Sequence, residues 1–584
     1  MGRGRDPQGR VDAVDMACQV VPDIPTFAVD DGFTYSIPEG LDVLVGSMVR
    51  IKVSGRRRAG FVTAVFPRPN DRKLLDIEGV SGNAPVFDEE LLEVCRWAST
   101  HYVAPLATVL RRTKPPNVPR SVVSANSDRG AGSGAFLDVV SAAPHIEAVL
   151  EALTASGPRP IVVPTAFEAT VLARALASAI EDPVVLATSS MSGADVTRAW
   201  AVACHNPAAV LVGTREIALW PVASRRGWIV VEDGRRVMKS PSTPTLNVRE
   251  IAAHRCRTTN GDLTFITPVP TLETLHMGAT VKHPPGRAWA PIEVVDRTEE
   301  PPGSSLLTAR VRHAIATAVA AKVSVFILVT ARGYAPAFRC LDCSTLRMCS
   351  SCGTHATATD MCRRCGEPLT ACSACGSHRF GPLGAGIGLL EEDVSRFVDP
   401  SLVGTAQDDR RVVIGSERDL VGRSDVGLAV VVDFDGMSGA PHYRATEDTL
   451  RLLARLGQTV GRGPGRRVLV QTSRTEQELL KALVSGHSQH FLAAELRRRE
   501  AARFPPFGSL IAIEVDVDHE ADATIRSALG SSASVRGPAR MRDRMRWLIQ
   551  GDDLTIARIA LRSAVGDLRS QGARVRVDAD PIDL

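Results

Sequence analysis

The sequence predicts an α/β protein with two tandem parallel-sheet lobes, a β-rich unit before them and a small α+β unit after them. Three observations predict it. From residue 135, continuous apolar strands alternate with Ala- and Leu-rich helical stretches, as in parallel sheets buried on both faces. Before residue 114 the strands alternate in polarity instead, the period of a sheet with one wet face. Between Cys340 and Cys375, eight cysteines fall in four Cys-x-x-Cys pairs. Two residues between cysteines let one tight turn aim both sulfurs at one tetrahedral ion, so the run reads as two four-thiolate zinc sites.

The bulk of the chain narrows its class. With 584 residues, 44% apolar and 23% charged, it has the length of several domains and the composition of a globular protein. No apolar run reaches 18 residues without a charge, which excludes a membrane-spanning helix. The basic N-terminus MGRGRDPQGR leads into no signal-peptide core, so the expected location is cytoplasmic. Cys18, Cys95, Cys204 and Cys256 are scattered and read as buried thiols of a reducing compartment. Four disulfides are the other reading of the clustered cysteines, disfavoured because nothing else suggests secretion. A net charge of +4 favours nucleic acid only weakly.

In chain order, residues 1–10 read as a disordered tail and 11–113 as the β-rich unit. VRIKV (49–53) and GFVTAV (60–65) are strands around a turn at Ser54-Gly55 that carries Arg56, Arg57 and Arg58. A helix starts at Asp88. FTYSIPEG (33–40) sets Phe33 and Tyr35 on one strand face, where they either pack a core or stack a nucleic-acid base. Residues 114–134, rich in Pro, Ser and Gly, form a linker. The first lobe (135–297) has strands at 136–140, 160–164, 183–188, 209–213, 227–231 and 263–267. The second starts over 298–337 with a helix at 306–321 and a strand at 323–329. The cysteine module (338–378) is inserted next, and the lobe resumes over 379–500 with strands at 411–415, 428–435 and 467–472. Glycines follow three of the pairs, at Gly353, Gly366 and Gly376, where a knuckle turn needs a left-handed backbone. Each closed site would be structural rather than catalytic. The pairs can combine in three ways, which spacing does not decide. The last unit, 501–584, has a strand at 510–517 and the stretch ARMRDRMRWLIQ (539–550), where Arg544 and Arg546 lie beside Trp547. That tryptophan either stacks a base or is a buried strand residue.

Two tandem lobes suggest a nucleotide-driven motor, but the parts for one are missing. A phosphate loop needs Gly-Lys-Ser/Thr, and none of the seven lysines follows a glycine. After the first strand the chain reads SAAPHIE (141–147). Ala142, Ala143 and Pro144 cannot form a glycine nest of backbone donors, and Pro144 has no N–H. His145 stands where lysine is needed, and Ile146 where a hydroxyl is needed. Glu232-Asp233 ends the strand GWIVV and, without a phosphate cradle, reads as a solvated strand end. No catalytic or nucleotide-binding residue is assigned.

These motifs together resemble the PriA family of primosomal replication-restart proteins, relatives of superfamily 2 helicases. FTYSIPEG resembles the Phe-Asp-Tyr motif of that family's 3′-end pocket, with Thr34 in place of aspartate. VGTREIALWP (212–221) resembles a DNA-backbone motif, and TPVPTLETL (267–275) a Ser-Ala-Thr-Pro-x-x-Glu motif. GAGIGLLEE (384–392), DFDG (433–436), RFPPFG (503–508) and VDADPIDL (577–584) fall in family order. The resemblance implies two RecA-like lobes with an inserted two-zinc module, an N-terminal DNA-binding domain, and DNA contacts at Phe33, Tyr35, Gly55, Arg215 and Trp547. It implies one zinc on Cys340, Cys343, Cys372 and Cys375, and a second on Cys349, Cys352, Cys362 and Cys365. Arg363 and Arg364, between two of the ligands, would help balance thiolate charge or touch DNA. A winged helix would lie in the linker and is absent. The finger motif is reduced to GQTVGRG (457–463), where Arg462 could stand in but, with no γ-phosphate to stabilise, reads rather as a structural or DNA-facing arginine.

The expected function is replication restart: a monomer that binds branched and single-stranded DNA at abandoned forks, with single-strand-binding protein and other primosome components as partners, and that nucleates the primosome without helicase activity. An ATP-dependent 3′–5′ helicase with an unconventional nucleotide site is the alternative. A zinc-stabilised regulatory protein unconnected with forks is the third reading.

Overall fold

The structure is a computed structural model that describes residues 15–582, except 70–72, 83, 120–130, 133–137, 141–144, 283–286, 301–304, 330–336, 344, 352, 355–359, 363–364, 384–385, 409, 441, 518 and 542. The tail 1–10, most of the linker 114–134, the segment 141–144, Cys352, Arg363 and Arg364 therefore lie outside the described residues.

The first domain is a five-stranded antiparallel sheet in the order Phe33–Ser36, Met16–Pro22, Arg56–Pro67, Met48–Val53, Gly79–Val80. The hairpin turn has Ser54 at φ +49° and Gly55 at φ +76°, and two positive φ values in a two-residue loop suit the right-handed twist of the flanking strands. Helix Glu89–His101 follows, capped by Asp88, whose Oδ1 accepts from the Leu91 N–H at 2.9 Å.

The first lobe carries a seven-stranded sheet, all parallel, with Thr280–Lys282 at one edge and Val184–Ala187 at the other. The second carries six strands, again all parallel, in the order Ile292–Asp296, Arg467–Thr472, Val426–Val431, Ser324–Leu328, Val412–Gly415, Val403–Thr405. The central strands Gly227–Val231 and Val426–Val431 are buried throughout, as unbroken apolar runs require. Ile292–Asp296 joins the second sheet, so that lobe begins before the expected boundary at 298. The C-terminal domain is a four-stranded antiparallel sheet covered by helices Asp522–Leu529 and Thr555–Ser570.

The cores run across these units. One apolar cluster joins Phe61, Leu91 and Tyr102 of the first domain to Trp200, Leu211, Trp228 and Phe265 of the first lobe. Another takes Val269 and Leu272 of the first lobe into the second lobe's core, with Phe434, Leu450 and Leu453. Among the described residues no helix is long and apolar enough to cross a membrane.

Candidate metal centre and inter-lobe contact

The cysteine module leaves the second lobe through strand Ala337–Cys340 and returns through Phe380–Leu383, an antiparallel pair. Inside it one turn recurs. The N–H of the first cysteine of each pair donates to a carbonyl five residues on: Cys340 to Thr345, Cys349 to Thr354, Cys362 to Glu367, Cys372 to Ser377. In three of the turns the glycine N–H donates back to that cysteine's carbonyl, at 2.8–2.9 Å. Gly353, Gly366 and Gly376 have φ of +66°, +77° and +71°, a region that costs other residues about 1–2 kcal/mol.

The turns converge as two groups. The sulfurs of Cys340, Cys343, Cys372 and Cys375 lie within 4.8 Å of one another, as do those of Cys349, Cys362 and Cys365. Sγ–Sγ separations of 3.5 Å link Cys340 to Cys375, Cys343 to Cys372 and Cys349 to Cys365. A disulfide needs about 2.05 Å, whereas the edge of a tetrahedron with metal–sulfur bonds of about 2.3 Å is roughly 3.8 Å. The residues present fit a metal ion in each group. Of the three possible combinations, the described residues bring the first pair to the fourth and Cys349 to the third. Hydrogen bonds to Thr345 draw the exposed Cys343 thiol down to about 6, toward the ligating thiolate.

The second site is the contact between the lobes. Glu232 and Asp233, expected as a solvated strand end, are instead 5% and 3% exposed. The expectation fails because both carboxylates are taken up by guanidinium groups. Glu232 has φ +50°, a left-handed position that costs a non-glycine residue about 1–3 kcal/mol. It starts a chain of alternating charge. Arg235 lies 3.0 Å from Glu232 and 2.6 Å from Glu168, while Arg455 of the second lobe lies 4.0 Å from Glu232 and 2.8 Å from Glu417. His145, at the position where a motor would carry lysine, is 3.9 Å away.

Asp233 starts the other chain. Its Oδ2 accepts from the Thr271 and Thr274 hydroxyls at 2.9 and 3.0 Å and faces Arg249 at 3.5 Å. Arg249 faces Glu273 at 3.6 Å, and Glu273 pairs with Arg444 of the second lobe. Arg444 faces Glu447, Glu447 pairs with Arg499 at 2.8 Å, and Arg499 with Glu495 at 3.2 Å. Glu447 also accepts from the Leu272 N–H of the first lobe at 3.3 Å. Burial alone would raise the carboxyls of Glu232, Glu273 and Glu447, but the arginines outweigh it and hold all three below the usual glutamate range. At Gly234 the lobes approach so closely that an added Cβ would lie 2.6 Å from Arg451 Nε. Beside these chains a cleft of about 440 Å³ remains, lined by Arg235, Arg236, Met437, His442, Arg451 and Leu452 among others.

The expected DNA residues are dispersed. Phe33 is 42% exposed at the start of its strand. Tyr35, on the same face, is 4% exposed in the sheet's core, and its hydroxyl donates to the Lys52 carbonyl at 2.8 Å. It orients the arginine-bearing hairpin and presents no ring for stacking. Gly55 lies at the tip of that hairpin with no atom within 4 Å of a would-be Cβ. Arg215 lies in the short turn Arg215–Leu219, half-buried, donating to the Val237 carbonyl at 3.0 Å and facing Glu216 at 3.3 Å. Trp547 does not form a stacking surface. It is 2% exposed, and its Nε1 donates to Asp522 at 2.8 Å inside the C-terminal core. Its strand register sends Ile549 and Trp547 to the covered face, beside Ile511 and Ile513. Arg462 donates to the Arg287 carbonyl. The residues that sequence reasoning missed are Arg249, Arg444, Glu447, Arg455 and Arg499. The one local signal is an arginine- and acid-rich helix, Ala445–Val460, whose buried face carries Glu447 and Arg455.

Comparison with known proteins adds three findings. Residues 19–115 match the family described as the PriA 3′DNA-binding domain (3′BD). The replication restart protein PriA of Treponema pallidum is 24% identical over 97% of this chain and 99% of its own length. The probable replication restart proteins PriA of Mycobacterium leprae and Deinococcus radiodurans are 24% and 27% identical, over 87% and 60% of this chain and 89% and 44% of theirs. Among solved structures, RecG bound to a three-way DNA junction is similar at a TM-score of 0.35 and 12% identity, covering 64% of this chain and 47% of its own.

Proposed function

As this chain is a relative of the PriA replication restart proteins along nearly its whole length, we propose that it is a replication-restart protein working as a fixed scaffold. It binds branched and single-stranded DNA at abandoned forks through a 3′-end-binding first domain. It nucleates the primosome on that platform and does not unwind DNA. Two zinc ions hold the cysteine module in shape, Cys352 completing the second set, and both sites are closed and structural. Single-strand-binding protein and other primosome components are the partners this role requires.

One observation carries the non-motor part: both carboxylates at the end of strand Gly227–Val231 are committed to guanidinium partners. A motor needs such carboxylates for magnesium and water, and needs lobes that move. Here arginines face both carboxylates, and two buried charge chains and an apolar cluster cross the lobe boundary, which supports the fixed arrangement. The remaining cleft of about 440 Å³ is what favours the second reading, an ATP-dependent 3′–5′ helicase with an unconventional nucleotide site.

A fork-binding titration with and without ATP separates the readings. The expected result is that a fork with a free 3′-end arm binds more tightly than blunt duplex and is indifferent to ATP, with no turnover stimulated by single strands. Turnover lost on Glu232→Ala would establish the helicase reading. Equal affinity for fork and duplex would remove the fork.

A further inference from the structure

Where the first domain meets the first lobe, residues of both line a cavity of about 120 Å³. Sites that enclose a whole small molecule run to about 300–1,000 Å³, so this one has room for a single chemical group. Buried Leu219 and Ile251 give it an apolar side. Arg112, just past helix Leu106–Leu110 of the first domain, supplies an exposed guanidinium with no ion-pair partner among the described residues. The neighbouring Thr113 carbonyl accepts from Trp200 Nε1 of the first lobe at 2.8 Å, which fixes the backbone beside Arg112 against that lobe. Arg215 lines the cavity too, and its contacts with Val237 and Glu216 commit at most two of its five N–H groups. Among the described residues Glu216 is the one acid in the lining, and its second carboxylate oxygen accepts from the Thr214 hydroxyl. Ser240 and Ser242 also line it, the Ser240 hydroxyl donating to the Ser242 carbonyl at 3.1 Å. Their loop is tied to the first domain further on, where the Asn247 N–H donates to the buried Tyr102 hydroxyl at 3.1 Å.

We propose that this cavity holds one phosphodiester of a single DNA strand that passes from the first domain onto the first lobe. Charge and size select the group. Two guanidiniums and one carboxylate leave a single positive charge in the lining, and a strand phosphate carries a single negative one. A phosphomonoester carries about 1.5–2 negative charges, so a free phosphate would leave part of its charge unmatched. The uncommitted N–H groups of Arg112 and Arg215 and the hydroxyl of exposed Ser242 are donors suited to phosphate oxygens. The apolar side suits the adjoining sugar. Contacts of this kind fix a strand's position without reading its sequence. One donor comes from each unit, so a strand held here is held across their boundary. This contact rests on the DNA-binding part of the proposed function.

Salt titrations of single-strand binding by the full chain test it. Each phosphate contact on a single strand adds about 0.7 to the slope of log affinity against log salt. Arg112→Gln is expected to lower that slope by about this amount and to weaken a long 3′-ended strand roughly tenfold. A dinucleotide too short to leave the first domain should bind as before. Arg96→Gln, at an exposed arginine of helix Glu89–His101, is the control and should leave the slope unchanged. Ser242→Glu places a second acid in the cavity and is expected to weaken the long strand by a similar factor. Wild-type slope and affinity in both Arg112→Gln and Ser242→Glu overturn the proposal while strand binding itself stands. A wild-type chain that binds no single strand overturns the DNA-binding reading, and the proposal with it. Inorganic phosphate is the remaining arm. If Arg112→Gln abolishes its binding yet keeps the wild-type slope for the strand, the cavity takes free phosphate and the proposal is overturned.

Discussion

At the scale of single residues, the most consequential side chain is Glu232. It is held between Arg235 and Arg455 from opposite sides of the lobe boundary. Removing Glu232 leaves Arg235 with Glu168 and Arg455 with Glu417, so the loss is that of the buried hydrogen bond and charge contact alone, at about 1–3 kcal/mol. Glu232→Ala should therefore lower the urea midpoint by an amount equivalent to that range. The first domain gives a paired contrast. Tyr35→Phe removes a buried hydrogen bond to Lys52 and should cost about 1 kcal/mol of stability. Phe33→Ala touches an exposed ring and should leave stability within about 0.5 kcal/mol, yet weaken binding of a 3′-ended strand by about 1–3 kcal/mol. The roles of Phe33 and Tyr35 were not separable from spacing: they share a strand face, and only the apolar cluster that packs over Tyr35 and stops short of the strand's first residue buries one and leaves the other exposed. The same holds for Trp547, where flanking arginines suggest nucleic acid but register decides burial. The acidic pair was misread as solvated because its partners lie up to 223 positions away, where Arg455 reaches Glu232 across the lobes.

At the scale of elements, the cysteine turns were legible because everything they need is local: two sulfurs, a following glycine and backbone bonds within five residues. Gly366→Ala should strain its turn by about 1–2 kcal/mol and lower metal occupancy of the Cys349 group, read as ions per chain. Chelation should release two ions per chain and melt residues 340–375 while the parallel sheets keep their exchange protection. The central strands were legible for a related reason. GWIVV and RVLVQT are continuous apolar runs, and the observed strands coincide with them. Three edge strands of the lobes were missed, one of them Val403–Thr405, which has only three residues with a glycine at its centre. Thr280–Lys282 is short, with both end residues exposed, and Ile292–Asp296 mixes two acids into five residues, so neither carries the apolar signature of a buried strand.

At the scale of the whole molecule, the two charge chains make lobe association sensitive to acid. The folded-state carboxyls of Glu232, Glu273 and Glu447 titrate below the usual glutamate value, which is about 4.3. A depressed folded value means that the stabilisation is complete above about pH 5 and is lost as pH falls below about 4. The Leu272 amide, which donates to Glu447 across the boundary, should lose exchange protection in that window before the core amides of strand Val426–Val431 do. No such coupling could be seen in the sequence, because it resides in arginines that look like ordinary surface residues until the lobes meet.

The neck of the cysteine module has a further consequence. Ala337–Cys340 and Phe380–Leu383 run side by side, so the chain enters and leaves the module at one place. A lineage could lengthen, shorten or exchange everything between those strands, and a short hairpin could close the gap, without disturbing the order of the sheet beneath. The module is a detachable cartridge in evolutionary terms, free to change its outer face while the platform that carries it stays the same.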